Sequence, residues 1–152
     1  MRTILLFLFL FGISCVGQKG LSAENANGTP QEVNMLEHLV SDSHSGVEQE
    51  TFMVVRDSKA LRNFFLQINK TRKPGLPVPQ VDFTKETVVI YCGGISAGHR
   101  SLKMELLKES QDTIALGLKE GTPSQKEGIL ETTPFCMYKL PYTQKEILLQ
   151  KE

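Results

Sequence analysis

The chain contains no tryptophan, only three cysteines and no excess of charge of either sign. Its 17 Lys and Arg residues balance 17 Asp and Glu residues over 152 positions, so net charge does not indicate a nucleic-acid partner. Three cysteines are too few for a fold that depends on many disulfides. Because 40% of the residues are hydrophobic, the composition predicts one ordinary globular domain stabilised by its own apolar core.

The chain also lacks the residue spacings of common catalytic and cofactor sites. Its histidines, His38, His44 and His99, are separated in the sequence, and none lies in an HExxH motif or beside a CxxC pair, which disfavours a zinc site. Neither a GxGxxG fingerprint nor a P-loop is present, which disfavours nucleotide binding. We therefore expect a protein that is not an enzyme and that needs no metal or cofactor.

The longest apolar run lies near the N-terminus, where residues 4–11 (ILLFLFLF) follow a single arginine. A helix needs about 20 residues to cross a bilayer, so residues 1–14 are interpreted as a signal peptide. Residues 12–15 (GISC) resemble a relaxed bacterial lipobox, which predicts lipidation of Cys15. The alternative is ordinary cleavage after Gly17, in which case Cys15 is discarded and the protein is secreted.

Residues 15–32 are rich in Gly, Asn and Ser and show no apolar periodicity. They are predicted to form a flexible tether between the lipidated cysteine and a domain at residues 33–152. This organisation predicts a lipoprotein of the bacterial cell envelope, anchored at the outer membrane or on the periplasmic side.

One helix is predicted in the domain, over residues 58–70. It rests on a single apolar stripe with helical spacing, formed by Leu61, Phe64, Phe65 and Ile68. Asp57 or Ser58 is the expected N-cap, since either side chain can accept a hydrogen bond from the first helical amides.

About seven short strands make up the rest of the domain. Residues 87–92 (TVVIYC) are apolar on both faces, as in a central strand that is covered on both sides. Residues 102–106 and 114–118 alternate between apolar and polar, which predicts a hairpin with one solvated face. Residues 135–140 lie between two prolines that are expected to limit their pairing, and residues 146–149 are a candidate closing strand. The predicted fold is α+β, with a mainly antiparallel sheet or partial barrel and one packed helix.

Four segments of the domain are distinctive in their order and spacing. They are residues 45–48 (SGVE), 81–86 (VDFTKE), 94–104 and 134–141. Together they resemble the PrcB C-terminal domain family, over about residues 40–145. The resemblance implies a small exported bacterial protein without enzymatic activity that binds and stabilises another envelope or secreted protein, for example a protease.

A glycine-rich loop is the candidate partner-binding surface. It contains Gly93, Gly94 and Gly98, which permit positive φ and close backbone approach. Ile95 is its candidate apolar anchor, with His99 and Arg100 as a polar rim. The alternative is a tight connection that needs glycine for backbone shape alone.

The same loop departs from the family pattern and allows a second function. Family members carry a Gly-Gly-Tyr-Ser turn where this chain has residues 98–101 (GHRS), so the aromatic residue is replaced. The alternative function is a chagasin-like peptidase inhibitor that inserts residues 93–100 into the cleft of a peptidase.

Cys92 and Cys136 both lie within predicted buried strands. A thiol in such a position is normally inert packing. The alternative is one disulfide between them in an oxidising periplasm, which requires neighbouring strands with the two Cα atoms about 5.5 Å apart.

Overall fold

A computed structural model describes residues 35–122 and 130–151. The predicted signal peptide, Cys15 and the tether lie outside these ranges, as do residues 123–129. Within the described residues there are one helix and nine strands, which confirms the α+β class with a mainly antiparallel sheet.

The elements follow one another along the chain as β1 (Glu37–Asp42), β2 (Glu50–Val55), α1 (Ser58–Ile68), β3 (Glu86–Gly93), β4 (Ser96–Ala97), β5 (Leu102–Glu109), β6 (Thr113–Glu120), β7 (Glu131–Thr132), β8 (Phe135–Pro141) and β9 (Glu146–Lys151). They form an antiparallel sheet in the order β1-β8-β3-β2, a sheet in the order β5-β6-β9 and a ribbon of β4 and β7.

Helix α1 begins where its cap was predicted. The Asp57 carboxylate accepts hydrogen bonds from the amides of Lys59 and Ala60, satisfying two donors that the first turn leaves unpaired. The helix ends at Ile68, two residues before the predicted end. Asn69 follows as C-cap, and its side-chain amide exchanges two hydrogen bonds with the backbone of Leu76. The proline-rich segment at residues 74–79 is thus attached directly to the end of the helix.

The four-stranded sheet is a middle layer with an apolar cluster on each face. On one face, strands β3 and β8 pack with the buried stripe of α1, and this helix-side cluster includes Phe65, Ile90 and Met137. On the other face they pack against β5, β6 and β9, and this sheet-side cluster includes Val89 and Leu116. The predicted coverage of the central strand on both sides is confirmed.

The hairpin of β5 and β6 has the one solvated face that was predicted, with Leu102, Met104, Ile114, Leu116 and Leu118 buried on the other. Strand β9 joins this sheet by pairing in parallel with β6. The expectation that two prolines limit the pairing of β8 is wrong. Strand β8 pairs with both β1 and β3 because Pro134 precedes the strand and Pro141 is its last residue.

Candidate functional site

The glycine-rich loop is fixed to its neighbours by backbone hydrogen bonds. The Ile95 amide donates to the Glu48 carbonyl at 3.1 Å, and the Gly93 amide donates to the Pro134 carbonyl at 2.8 Å. Three of the four segments behind the family resemblance therefore meet at the C-terminal end of β3. The fourth, residues 81–86, lies at the opposite end, where β3 begins at Glu86.

The second half of the loop is a short ribbon that the sequence did not predict. Strand β4 pairs with β7, and the Gly98 amide continues the pairing by donating to the Leu130 carbonyl at 2.8 Å. The buried hydroxyl of Thr132 donates to the Gly98 carbonyl at 2.7 Å. Two-residue strands leave no periodic pattern in a sequence, so only the glycines signalled an unusual backbone here.

Two of the three loop glycines have a backbone shape that favours glycine. Gly94 has a φ of +70° and Gly98 a φ of +76°, in the left-handed region that glycine enters at little cost. A Cβ at Gly94 would also lie 3.0 Å from the Glu48 carbonyl oxygen and 3.0 Å from the Glu50 amide nitrogen. Gly94 thus allows the loop to approach the chain before β2 closely.

The candidate anchor and rim residues differ in what they contact. Ile95 is 55% exposed, and Leu130 beside the ribbon is 65% exposed. His99 is exposed and bonds the Ser43 hydroxyl through Nδ1. Arg100 instead forms an ion pair with Glu120 at 2.5 Å, so it ties the loop to the end of β6. Ile95 is therefore the exposed large apolar side chain of the loop at residues 93–100.

Residues 42–45 lead into the chain that contacts the loop, and an arginine holds them in place. Arg72 donates two hydrogen bonds to the Asp42 carboxylate, at 3.0 and 2.5 Å, and a third to the His44 carbonyl at 2.8 Å. The hydrogen bond from Arg72 is the main cause that lowers the pKa of the Asp42 carboxyl, against the opposing effect of burial. The Ser45 amide then donates to the Thr133 carbonyl at 2.7 Å, which joins this segment to the residue that follows β7.

No family model, curated protein or solved structure matches this chain. The resemblance to the PrcB C-terminal domain family remains a prediction from the four segments. Among the described residues, no three His, Cys, Asp or Glu side chains are grouped so that they could hold a metal ion. No helix in the described ranges is both long and apolar enough to cross a membrane.

Replacing Asp42 with asparagine is expected to make acid unfolding less sensitive to pH. Because the folded-state pKa of Asp42 is lowered, its ionised form stabilises the protein above about pH 4, and this contribution is lost as pH falls through the lowered value. We expect Asp42→Asn to cost on the order of 1 kcal/mol at pH 7. Urea unfolding should show that the difference in free energy of unfolding between this variant and the unmodified protein disappears below pH 3. Asp112→Asn, on the exposed β5–β6 turn, controls for loss of one charge. A difference in free energy of unfolding that stayed constant down to pH 2.5 would contradict the role given to Asp42.

The two strand cysteines lie on neighbouring strands but on opposite faces of the sheet. Tyr91 is paired with Cys136, and Cys92 is paired with Phe135. Since successive side chains of a strand alternate between faces, this offset of one residue places Cys92 in the helix-side cluster and Cys136 in the sheet-side cluster. Both thiols are free, so the disulfide considered above is not formed.

Both thiols are expected to be unreactive in the folded protein. Burial raises the pKa of Cys92 to about 11 and that of Cys136 to about 12, so each is protonated at neutral pH and screened from reagents. With iodoacetamide at pH 8, peptide mapping should find both unmodified in native protein and both modified in urea. Rapid native alkylation of either one would show that its strand opens locally.

Proposed function

We propose that this chain is a non-enzymatic binding module of a bacterial envelope lipoprotein. Its partner is another exported protein, and a protease is the class that the family resemblance implies. The observation that supports this function best is the presentation of Ile95, an exposed apolar side chain at the tip of a loop whose backbone is fixed on both sides.

A fixed loop favours binding because little conformational freedom is lost when the partner docks. Ile95 is held through its own amide to Glu48, and three residues later Gly98 is held to Leu130. An isoleucine in water gains free energy when a partner pocket covers it, and a rigid backbone keeps more of that gain as affinity.

Lipidation at Cys15 would tether the chain to a membrane. Acyl chains contribute about 0.8 kcal/mol per buried CH₂, so a diacylglyceryl cysteine anchors a protein almost permanently. Cells fed a palmitate analogue should label the unmodified protein, and Cys15→Ala should abolish the label. Labelling of Cys15→Ala would contradict the lipobox interpretation.

The loop's role is tested by changing its apolar tip. In pull-downs of the tagged full chain from detergent extracts of its own host, Ile95→Asp should reduce recovery of the bound envelope protein at least tenfold. A charged side chain cannot enter an apolar pocket without a large desolvation cost. Leu66→Asp is the matched control, since Leu66 is 69% exposed on α1, away from the loop. Equal recovery with both variants, or no enriched envelope protein, would contradict the proposal.

The fixed loop conformation also suits the second candidate, a peptidase inhibitor, because inhibitory loops gain from the same rigidity. Purified protein is assayed against cysteine and serine peptidases, with Ile95→Asp alongside. Inhibition that Ile95→Asp abolishes would favour the inhibitor. Association with a peptidase that stays fully active would favour the binding module.

A further inference from the structure

The two larger sheets leave one side of the domain open between their edge strands. Strand β2 ends the four-stranded sheet and β9 ends the three-stranded sheet, so each has one edge without a paired strand among the described residues. They run antiparallel to each other across the gap. Glu50 at the start of β2 forms an ion pair with Lys151 at the end of β9, whereas Val54 and Ile147 line one open groove at the other end.

An open groove of about 640 Å³ occupies one end of this gap. Val54 and Ile147 line it with apolar surface, and Val54 packs on the sheet-side cluster while staying only partly buried. The exposed ring of Tyr142 forms one wall. The groove therefore offers apolar walls to the side chains of an extended segment that enters at this end.

The charge at the end of the groove indicates what that peptide should carry. Arg56 follows β2, and its guanidinium donates to the carbonyls of Thr143 and Lys145, both at 3.2 Å. These bonds fix its orientation without neutralising it, and it forms no ion pair with any carboxylate in the described ranges. By contrast, Lys145 is already paired with Glu109 at 2.6 Å. Arg56 is thus a pre-oriented cation with unused donors.

We propose that the groove between β2 and β9 binds an extended peptide segment of a partner protein, with a carboxylate of that segment held by Arg56. Guanidinium groups recognise carboxylates through two parallel hydrogen bonds, and an arginine oriented in advance loses less entropy on doing so. The unpaired strand edges supply backbone hydrogen bonds, as in other cases where a peptide adds a strand to a sheet. Tyr142, Val54 and Ile147 contact its apolar side chains.

Glu146 is the one lining residue that opposes this assignment. Its carboxylate lines the same groove but forms no ion pair with Arg56 or any other described cation. Its negative charge repels an acidic peptide, and dissolved salt weakens this repulsion. Removing its charge should therefore strengthen the proposed interaction, an effect opposite in sign to the loss of Arg56.

The probe is a heptapeptide of alternating valine and threonine with a free C-terminal carboxylate. Its binding to the immobilised full chain in a non-ionic detergent is measured by interferometry, with detergent alone as blank. Two further peptides identify the source of the carboxylate: the C-terminal amide, and that amide with a central aspartate. We expect at least one carboxylate-bearing peptide to bind at least tenfold more tightly than the plain amide.

The variants test each group separately. Arg56→Gln should weaken binding at least tenfold, Arg56→Lys should restore only part of it, and Glu146→Gln should strengthen it a few-fold. Arg62→Gln, the same charge change on the exposed side of α1, should have no effect. Thermal melting of each variant verifies folding. If Arg56→Gln does not fold, the affinity of Arg56→Lys still tests the role of the guanidinium group.

Three results would overturn the proposal. They are no binding of any peptide at 1 mM, equal binding of the amide and the carboxylate peptides, or unchanged affinity in a folded Arg56 variant. The Ile95→Asp variant should bind the peptide normally, because Ile95 lies on the glycine-rich loop. Failure of the groove is thereby distinguishable from failure of the loop proposed above.

Discussion

Replacing Phe65 with alanine should lower the free energy of unfolding by about 3–5 kcal/mol, the usual range for a buried phenylalanine. Phe65 is 1% exposed in the helix-side cluster. Its ring meets that of Phe64 edge to face at 5.9 Å, and Phe64 meets Phe135 of β8 in the same way at 5.5 Å. Truncation removes apolar contact and leaves a cavity between helix and sheet. A domain of this size has only about 5–15 kcal/mol of stability in total.

Its neighbour Leu66 supplies the control. Leu66 is 69% exposed on the same helix, so Leu66→Ala should change the free energy of unfolding by no more than about 0.5 kcal/mol. Urea unfolding followed by circular dichroism measures both variants. Similar losses for the two would mean that α1 faces the sheet with a different stripe.

Gly94→Ala should cost about 2–5 kcal/mol, because it combines two penalties. A positive φ costs a residue with a Cβ about 1–2 kcal/mol. The new methyl group would also lie 3.0 Å from backbone atoms of Glu48 and Glu50, and overpacking adds about 1–3 kcal/mol. Backbone atoms cannot move aside as the end of a flexible side chain can, so the contact has to be relieved by shifting the loop.

Gly46→Ala separates the two penalties. Gly46 has nearly the same φ, +66°, but an added Cβ would meet no atom within 4 Å. We expect it to cost about 1–2 kcal/mol, from backbone conformation alone. Thermal or urea unfolding of both variants gives the difference. A Gly94→Ala variant no less stable than Gly46→Ala would show that the loop yields easily and that Ile95 is not rigidly held.

Much of the fold follows from local residue patterns. The stripe that includes Phe65 predicts a helix and its buried face, because four apolar residues at helical spacing have only one way to be covered together. Residues 87–92 predict a strand buried on both sides, because they contain no polar alternation. Asp57 predicts the start of the helix through its capping chemistry.

The local patterns do not determine which strands pair with each other or in which register. A short strand such as β9 has the same local pattern whether its neighbour is parallel or antiparallel, so its place beside β6 is not encoded locally. Whether Cys136 lies opposite Cys92 or opposite Tyr91 depends on a shift of one residue, and either register is compatible with buried side chains on both faces. For the same reason the sequence indicates the loop around Gly94 but not its contact with Glu48. Nor does it indicate the Arg56 groove, which exists only once two sheets face each other.

The position of the β3–β8 ladder between two apolar clusters has a consequence for amide hydrogen exchange. Its backbone amides reach water only if the helix layer or the three-stranded sheet detaches, so they should exchange at rates set by near-global unfolding, while β9 at an edge exchanges through local opening. Gly93 is the last residue of β3, and the loop bearing Ile95 begins directly after it. The most slowly exchanging part of the backbone therefore leads directly into the surface proposed to bind a partner.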